Sequence, residues 1–134
     1  MPHDGSIPVE LAKYRLNKAL GDLVTAKINL ENEKYEASAN RSYYAIFHAT
    51  RALLAMERVD YKRHSGLISH FQKQYIKTGV FDIEYGKIIM RAFEIRHEAD
   101  YEDFYILSKE DAAQQLINAE KFTDAVKDYL KKQV

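Results

Sequence analysis

The sequence predicts an all-α protein, an antiparallel four-helix bundle with an additional short helix. Apolar residues recur every three or four positions along four long segments, the period of one buried helix face. Only five glycines and two prolines punctuate the 134 residues, too few for many short strands and turns. The polar connections are short, which makes consecutive helices antiparallel neighbours. No repeat, low-complexity tract or domain boundary interrupts the pattern, so residues 1–134 read as one domain, with residues 1–7 flexible.

The first helix is expected over Pro8 to Glu33, with Pro8 suited to its first turn. Its stripe is Ala12, Leu16, Ala19, Leu23, Ala26 and Leu30, widened by Leu20 and Val24. A polar turn follows at Asn32 to Tyr35. The second helix spans Tyr35 to Glu57 and carries Ala39, Tyr43, Ile46, Phe47, Thr50, Leu53 and Leu54. Tyr44, His48 and Arg51 fall on a neighbouring strip of the same helix. Small residues beside aromatic ones let helices approach closely or pack a second subunit.

Arg58 to Arg63 reads as a connection. A shorter helix follows over His64 to Lys77, with Leu67, Ile68, Phe71 and Tyr75 on its apolar face. Gly79 is placed to end it, because glycine accepts the left-handed backbone. Asp82 has the chemistry of an N-cap for the fourth helix, Ile83 to Asp100. That helix presents Tyr85, Ile88, Ile89, Ala92, Phe93, Ile95 and Ala99. Tyr101 to Leu107 is a loop of acids and aromatics. Ser108 followed by Asp111 approximates a capping box. The fifth helix covers Lys109 to Lys131, with Ala112, Leu116, Ala119, Phe122, Val126 and Tyr129 on its face and Ile117 and Leu130 beside it. The short third helix caps or bridges the other four.

Composition narrows the function classes. No cysteine is present, which removes disulfides, thiolate metal sites and thiol catalysis. Met1 to Ser6 lacks the apolar core of a signal peptide, and no apolar run approaches the ~18 residues of a membrane span. A cytoplasmic protein with no membrane association is expected. Basic and acidic residues balance at 20 each, unlike a dedicated non-specific nucleic-acid binder. The charge is nevertheless uneven. Arg58, Lys62, Arg63, Lys73 and Lys77 cluster in one stretch. Glu94, Glu98, Asp100, Glu102, Asp103, Glu110 and Asp111 cluster in another. Such runs are either solvated faces or complementary surface for a partner.

Neither a Gly-rich phosphate loop, nor a His-Glu-x-x-His pattern, nor the two Glu-x-x-His copies of a di-metal site, nor a nucleophile elbow occurs; Glu94 to His97 is a single Glu-x-x-His string. His64 and His70, six apart, fall on different helix faces. No metal and no cofactor is expected. What remains is Arg96-His97-Glu98-Ala99-Asp100-Tyr101, which puts polar and charged groups at the end of an apolar helix. Groups of this kind are costly to bury unpaired, so they pair with one another, reach solvent or serve a site.

Several blocks in order resemble the HEPN domain family, in its short prokaryotic branch. They are Arg41-Ser-Tyr-Tyr-Ala-Ile-Phe-His-Ala-Thr-Arg-Ala-Leu-Leu54, His64-Ser-Gly66-Leu67-Ile68, Tyr75-Ile-Lys-Thr-Gly79, Arg96 to Tyr101, and the helix around Ala119, Phe122 and Val126. The resemblance covers roughly Leu11 to Leu130. It implies a helical homodimer that pairs with a minimal nucleotidyltransferase in a two-part prokaryotic toxin–antitoxin system. Active members of the family are metal-independent endoribonucleases. In them an arginine steadies charge on the scissile phosphate, and a histidine takes the 2′-hydroxyl proton inside a dimer cleft. The internal nucleophile is already in place, so no metal is required.

Carried onto this chain, Arg96 matches the arginine and His97 the polar position beside it. The expected histidine falls near Tyr101, a departure, because an unperturbed tyrosine with a pKa of about 10 is a poor base near neutrality. The catalytic candidates are therefore Arg96, Tyr101, Asp100 and His97. Arg41, Tyr44, Arg51 and His64 are candidates for binding RNA or a nucleotide. Alternatives stand beside these roles. Arg96 and Asp100, four apart, make either a structural clasp or a site. His64 starts or packs a helix, or joins the site. Arg41 and Arg51 are solvated or face the cleft of Arg96, and Tyr43 and Tyr44 are core and dimer contacts or a base-stacking platform. His48 reads as a packing or interface residue. The acidic window around Arg96 repels RNA unless other positive groups surround the cleft. The rival to the enzyme is a non-catalytic helical module that binds a nucleotide or a protein.

Overall fold

A computed structural model describes residues 6–133. Its elements are α1 (Ser6–Glu31), α2 (Tyr35–Glu57), α3 (His64–Phe71), α4 (Ile83–Tyr101) and α5 (Lys109–Gln133). The described residues include no strand. The all-α expectation holds, and α2 has the expected limits. The expected flexibility of residues 1–7 falls on residues 1–5, which lie outside the described residues; Ser6 and Ile7 already belong to α1.

The central helix is α2, which packs against α1, α3, α4 and α5. Its sequence explains this position. Ala45, Ile46, Ala49, Thr50, Ala52, Leu53 and Leu54 are all fully buried, so small and large side chains alternate around most of its circumference. The closest pairing is with α1. That seam is built on Ala19 and Ala26, both fully buried, where no side chain holds the backbones apart. Ser38 on α2 donates from its Oγ to the Ala26 carbonyl at 2.8 Å, a bond that requires close approach. The broader apolar face expected on α1 is narrower in fact. Leu16 and Leu23 are half-buried, and Val24 is exposed because α1 meets its partners along one alanine edge. Ile117 on α5 is likewise exposed.

After Phe71, α3 continues as one π-helical turn, Gln72–Ile76. Gln72 donates from Nε2 to the Gly86 carbonyl on α4 at 2.9 Å. A Cβ at Gly86 would lie 2.5 Å from the Gln72 amide oxygen, so a glycine permits this crossing. Gly79 follows with φ +79°, as expected of a helix terminator. Asp82 precedes α4 in extended conformation but makes no side-chain cap. Ser108 does cap α5, accepting the Asp111 amide at 3.0 Å.

Phe71, Tyr75, Phe81 and Phe122 interlock under α3, with Phe71 and Phe122 ring centres 5.3 Å apart. A polar chain closes this end of α2: the Tyr75 hydroxyl donates to Glu57, and His70 Nε2 lies 3.2 Å from the same carboxylate. The loop after α4 is pinned by Leu107, buried with Ala39, Ile95 and Ala112. Thus α3 and the start of that loop both lie beside the C-terminal half of α4, where Arg96 sits.

Candidate functional site

Arg96 projects from α4 towards α2, where the neighbouring strip is aromatic. Its guanidinium lies over two rings, 5.2 Å from the Tyr43 centre and 5.3 Å from that of Tyr44. It donates from Nη2 to the Tyr44 hydroxyl at 2.9 Å. Asp100 approaches Nη1 only to 3.8 Å, and its side chain is half-exposed. The Nε of Arg96 is buried with no hydrogen-bond partner. The sequence left a choice between structural clasp and site. The Asp100 pair is long and solvent-exposed, and the Arg96 side chain itself remains 29% exposed. That geometry leaves the cation available to an anion.

A groove of about 320 Å³ opens beside it, lined by His64, Ser65, Phe93, Arg96, His97, Asp100 and Tyr101. Four of the expected catalytic or binding positions from α4 and one from α3 therefore meet in one depression. Tyr101 stands 76% exposed at its rim, still within α4 rather than in the expected loop. The His97 and Tyr101 rings are 4.7 Å apart. Both residues are exposed.

His64 opens α3 and is held by α2. Its Nδ1 lies 2.6 Å from the Tyr43 hydroxyl, and its ring is 4.1 Å from that of Phe47. Burial, aided by the nearby positive charges of Arg96 and Arg51, holds its pKa below the usual imidazole range. It is neutral in neutral solution. Burial raises the Tyr43 hydroxyl above its ordinary range, so that partner keeps its proton.

Tyr44 links Arg96 to a second charged group. Arg41 also lies over the Tyr44 ring, 5.0 Å from its centre, and pairs with Asp22 of α1 at 3.1 Å. His48 Nε2 lies 3.7 Å from the same carboxylate. Burial pushes His48 down to about 4, with Lys18, Arg51, Arg41 and Arg15 adding to it. It is therefore a neutral packing imidazole despite its acidic neighbour. Arg51 is committed elsewhere: it pairs with Asp60 at 3.0 Å and lies 5.9 Å from the Phe47 ring, outside the groove of Arg96.

Asp22 and the Tyr43–His64 link were not singled out from sequence. Asp22 had a usable signal, since it lies three residues after Ala19 and four before Ala26, on the flank of a buried stripe. Nothing local marks Tyr43 as the partner of a residue 21 positions away. Among the described residues no three His, Asp or Glu side chains group as metal ligands. None of the described helices is long and apolar enough to cross a membrane.

The family model described as HEPN domain matches residues 12–129. A UPF0332 protein of Thermotoga maritima is 34% identical over 118 residues, covering 88% of this chain and 87% of that protein. A protein of Methanocaldococcus jannaschii named "Putative toxin MJ0605" is 36% identical over 110 residues, 82% of this chain and 81% of that one. A second from the same organism, "Putative toxin MJ0142", is 33% identical over 121 residues, 90% and 82% of the two chains. These matches run through α1 to α5 and include the helix that carries Arg96, and on that extent this chain belongs to the HEPN domain family.

Proposed function

We propose that this chain is the toxin-like component of a two-part prokaryotic system, working in the cytoplasm as a homodimer and held in check by a minimal nucleotidyltransferase. Its action is cleavage of RNA without a metal. The observation that carries this reading is Arg96: a guanidinium whose side chain is 29% exposed at the edge of an open groove, with its paired carboxylate, Asp100, no nearer than 3.8 Å. A phosphodiester oxygen is the ligand that completes such a guanidinium.

The missing motif histidine at Tyr101 does not leave the groove without a base. His64 is neutral at physiological pH and lines the same groove as Arg96. In the tautomer that donates Nδ1–H to the Tyr43 oxygen, its Nε2 keeps a free lone pair. That lone pair takes the proton from a ribose 2′-hydroxyl as the oxygen attacks the adjacent phosphorus, and the P–O5′ bond breaks with the 5′-oxygen taking a proton from water to leave as a hydroxyl. Arg96 balances the charge that builds on the phosphate. His97, Asp100 and Tyr101 at the rim are auxiliary, and Arg41 and Tyr44 orient Arg96. Two copies facing across a two-fold axis would bring a second set of cations to this acidic neighbourhood.

Tyr101 favours one rival, a module that binds RNA or a nucleotide without cutting it. The two separate in one assay: folded protein, excess chelator and a labelled RNA. Cleavage giving 2′,3′-cyclic phosphate ends, lost in Arg96→Ala and His64→Asn but kept in Tyr101→Phe, supports the enzyme. Binding without cleavage, lost in Arg96→Ala, leaves the module. Neither binding nor cleavage removes both.

A further inference from the structure

The loop that follows α4 exposes what a helical bundle ordinarily hides. Phe104 is 99% exposed and Ile106 87%. Phe104 also holds a left-handed backbone, φ +60°, a conformation that costs a β-carbon residue energy and turns the ring outward. Glu102 and Asp103 stand beside it, and neither forms an ion pair among the described residues. The result is an apolar knob with an unmatched negative collar.

The same chain carries the complementary shape. A pocket of about 300 Å³ lies between the first half of α1, the end of α2 and the end of α5. Leu16, Met56 and Leu130 line it, and Lys13, Lys127 and Lys131 stand around it. Those lysines also form no ion pair among the described residues. The pocket cannot receive the knob of its own chain. Leu107 anchors the loop in a cluster with Leu30, 14 residues beyond Leu16, which is ~21 Å along the α1 axis. Knob and pocket therefore lie towards opposite ends of the molecule.

The geometry points to a second copy of this chain as the occupant: Phe104 and Ile106 of one molecule enter the lysine-edged pocket of another, with Glu102 and Asp103 against Lys127 and Lys131. Apolar fit and charge complementarity agree on it, and each patch finds in the other copy the charges it lacks within its own. The socket, on α1, α2 and α5, lies away from the Arg96 groove, whereas the knob directly follows Tyr101 at that groove's rim. The contact is heterologous, joining different patches of the two copies. It closes as a two-fold pair when made reciprocally and extends into larger assemblies when not.

The test is sedimentation velocity on the full chain at low salt. Phe104→Ser/Ile106→Ser changes only exposed side chains and retains the wild-type melting curve. It is expected to lower the assembly mass. Lys127→Glu/Lys131→Glu and Glu102→Lys/Asp103→Lys each do the same, and an equimolar mixture of the two charge-reversed proteins regains association. A wild type that stays monomeric, a mass that neither apolar nor charge substitution alters, or loss from the knob variants alone each overturns the contact. Failure of the mixture to associate overturns the pairing of these charges.

Discussion

Truncating Arg96 to alanine distinguishes a clasp from a site, and the structure sets the size of each effect. The side chain loses one hydrogen bond to the Tyr44 hydroxyl, about 1 kcal/mol at a half-buried position. It loses cation–ring contacts with Tyr43 and Tyr44, together about 1 kcal/mol. The 3.8 Å approach of Asp100, half-exposed, adds a few tenths of a kcal/mol at most. The sum is about 2 kcal/mol, well inside the ~5–15 kcal/mol that holds a domain of this kind together. With an unfolding entropy of ~2.1 cal/mol/K per residue over 134 residues, that is a fall in Tm of about 7 °C. Arg96→Ala is therefore expected to melt cooperatively, somewhat earlier, and to lose RNA binding. Tyr44→Phe removes the hydrogen bond alone and is expected to cost about half as much. The assay pairs thermal melting by circular dichroism with fluorescence anisotropy of a labelled oligoribonucleotide. A loss above about 4 kcal/mol, or a folded Arg96→Ala that binds RNA as wild type does, refutes the reasoning.

The other predictions follow from the same contacts. His48 titrates at about 4 when folded and near its ordinary 6.5 when unfolded. The unfolded state thus binds more protons as pH falls through 6.5, and the stability this group contributes is lost towards pH 4. Between pH 7 and 5 the loss is about 2 kcal/mol, so urea melts of His48→Gln should show a slope shallower by that amount; parallel slopes would sink the prediction. His64, also lowered, loses stability in the same direction in both proteins and cancels in the comparison, whereas Asp22, raised by burial, gains stability as pH falls through its folded pKa. Gly79→Ala forces a β-carbon into φ +79° and should cost about 1 kcal/mol, while Gly21→Ala, in open space on helical α1, should gain about 1 kcal/mol; equal signs in chemical denaturation would contradict both. Ala19→Leu overfills the α1–α2 seam and should destabilise by about 3 kcal/mol, and a melting temperature within 2–3 °C of wild type would mean the seam is loose.

Much of this molecule is legible along the chain. The 3.6-residue recurrence of apolar positions located every helix to within a few residues, because helix formation is a local periodicity before it is a tertiary fact. Gly79 and Ser108 were readable for the same reason: a left-handed terminator and a hydroxyl cap act within three residues of themselves. Arg96, His97, Asp100 and Tyr101 stood out because polar groups closing an apolar helix need an explanation.

What those groups touch was decided by packing. Arg96 meets Tyr44 across 52 residues and His64 meets Tyr43 across 21, distances over which no sequence pattern carries register. The exposure of Val24 and Ile117 came from the same source: periodicity tells which face of a helix is apolar, while the neighbour tells how much of that face is covered. The seam of small residues let α1 and α2 close together, and that closeness set Asp22 beside Arg41 and His48. Helices and their ends come from short-range geometry along the chain. The groove, its open arginine and its neutral histidine come from long-range contacts that exist only once the helices are docked.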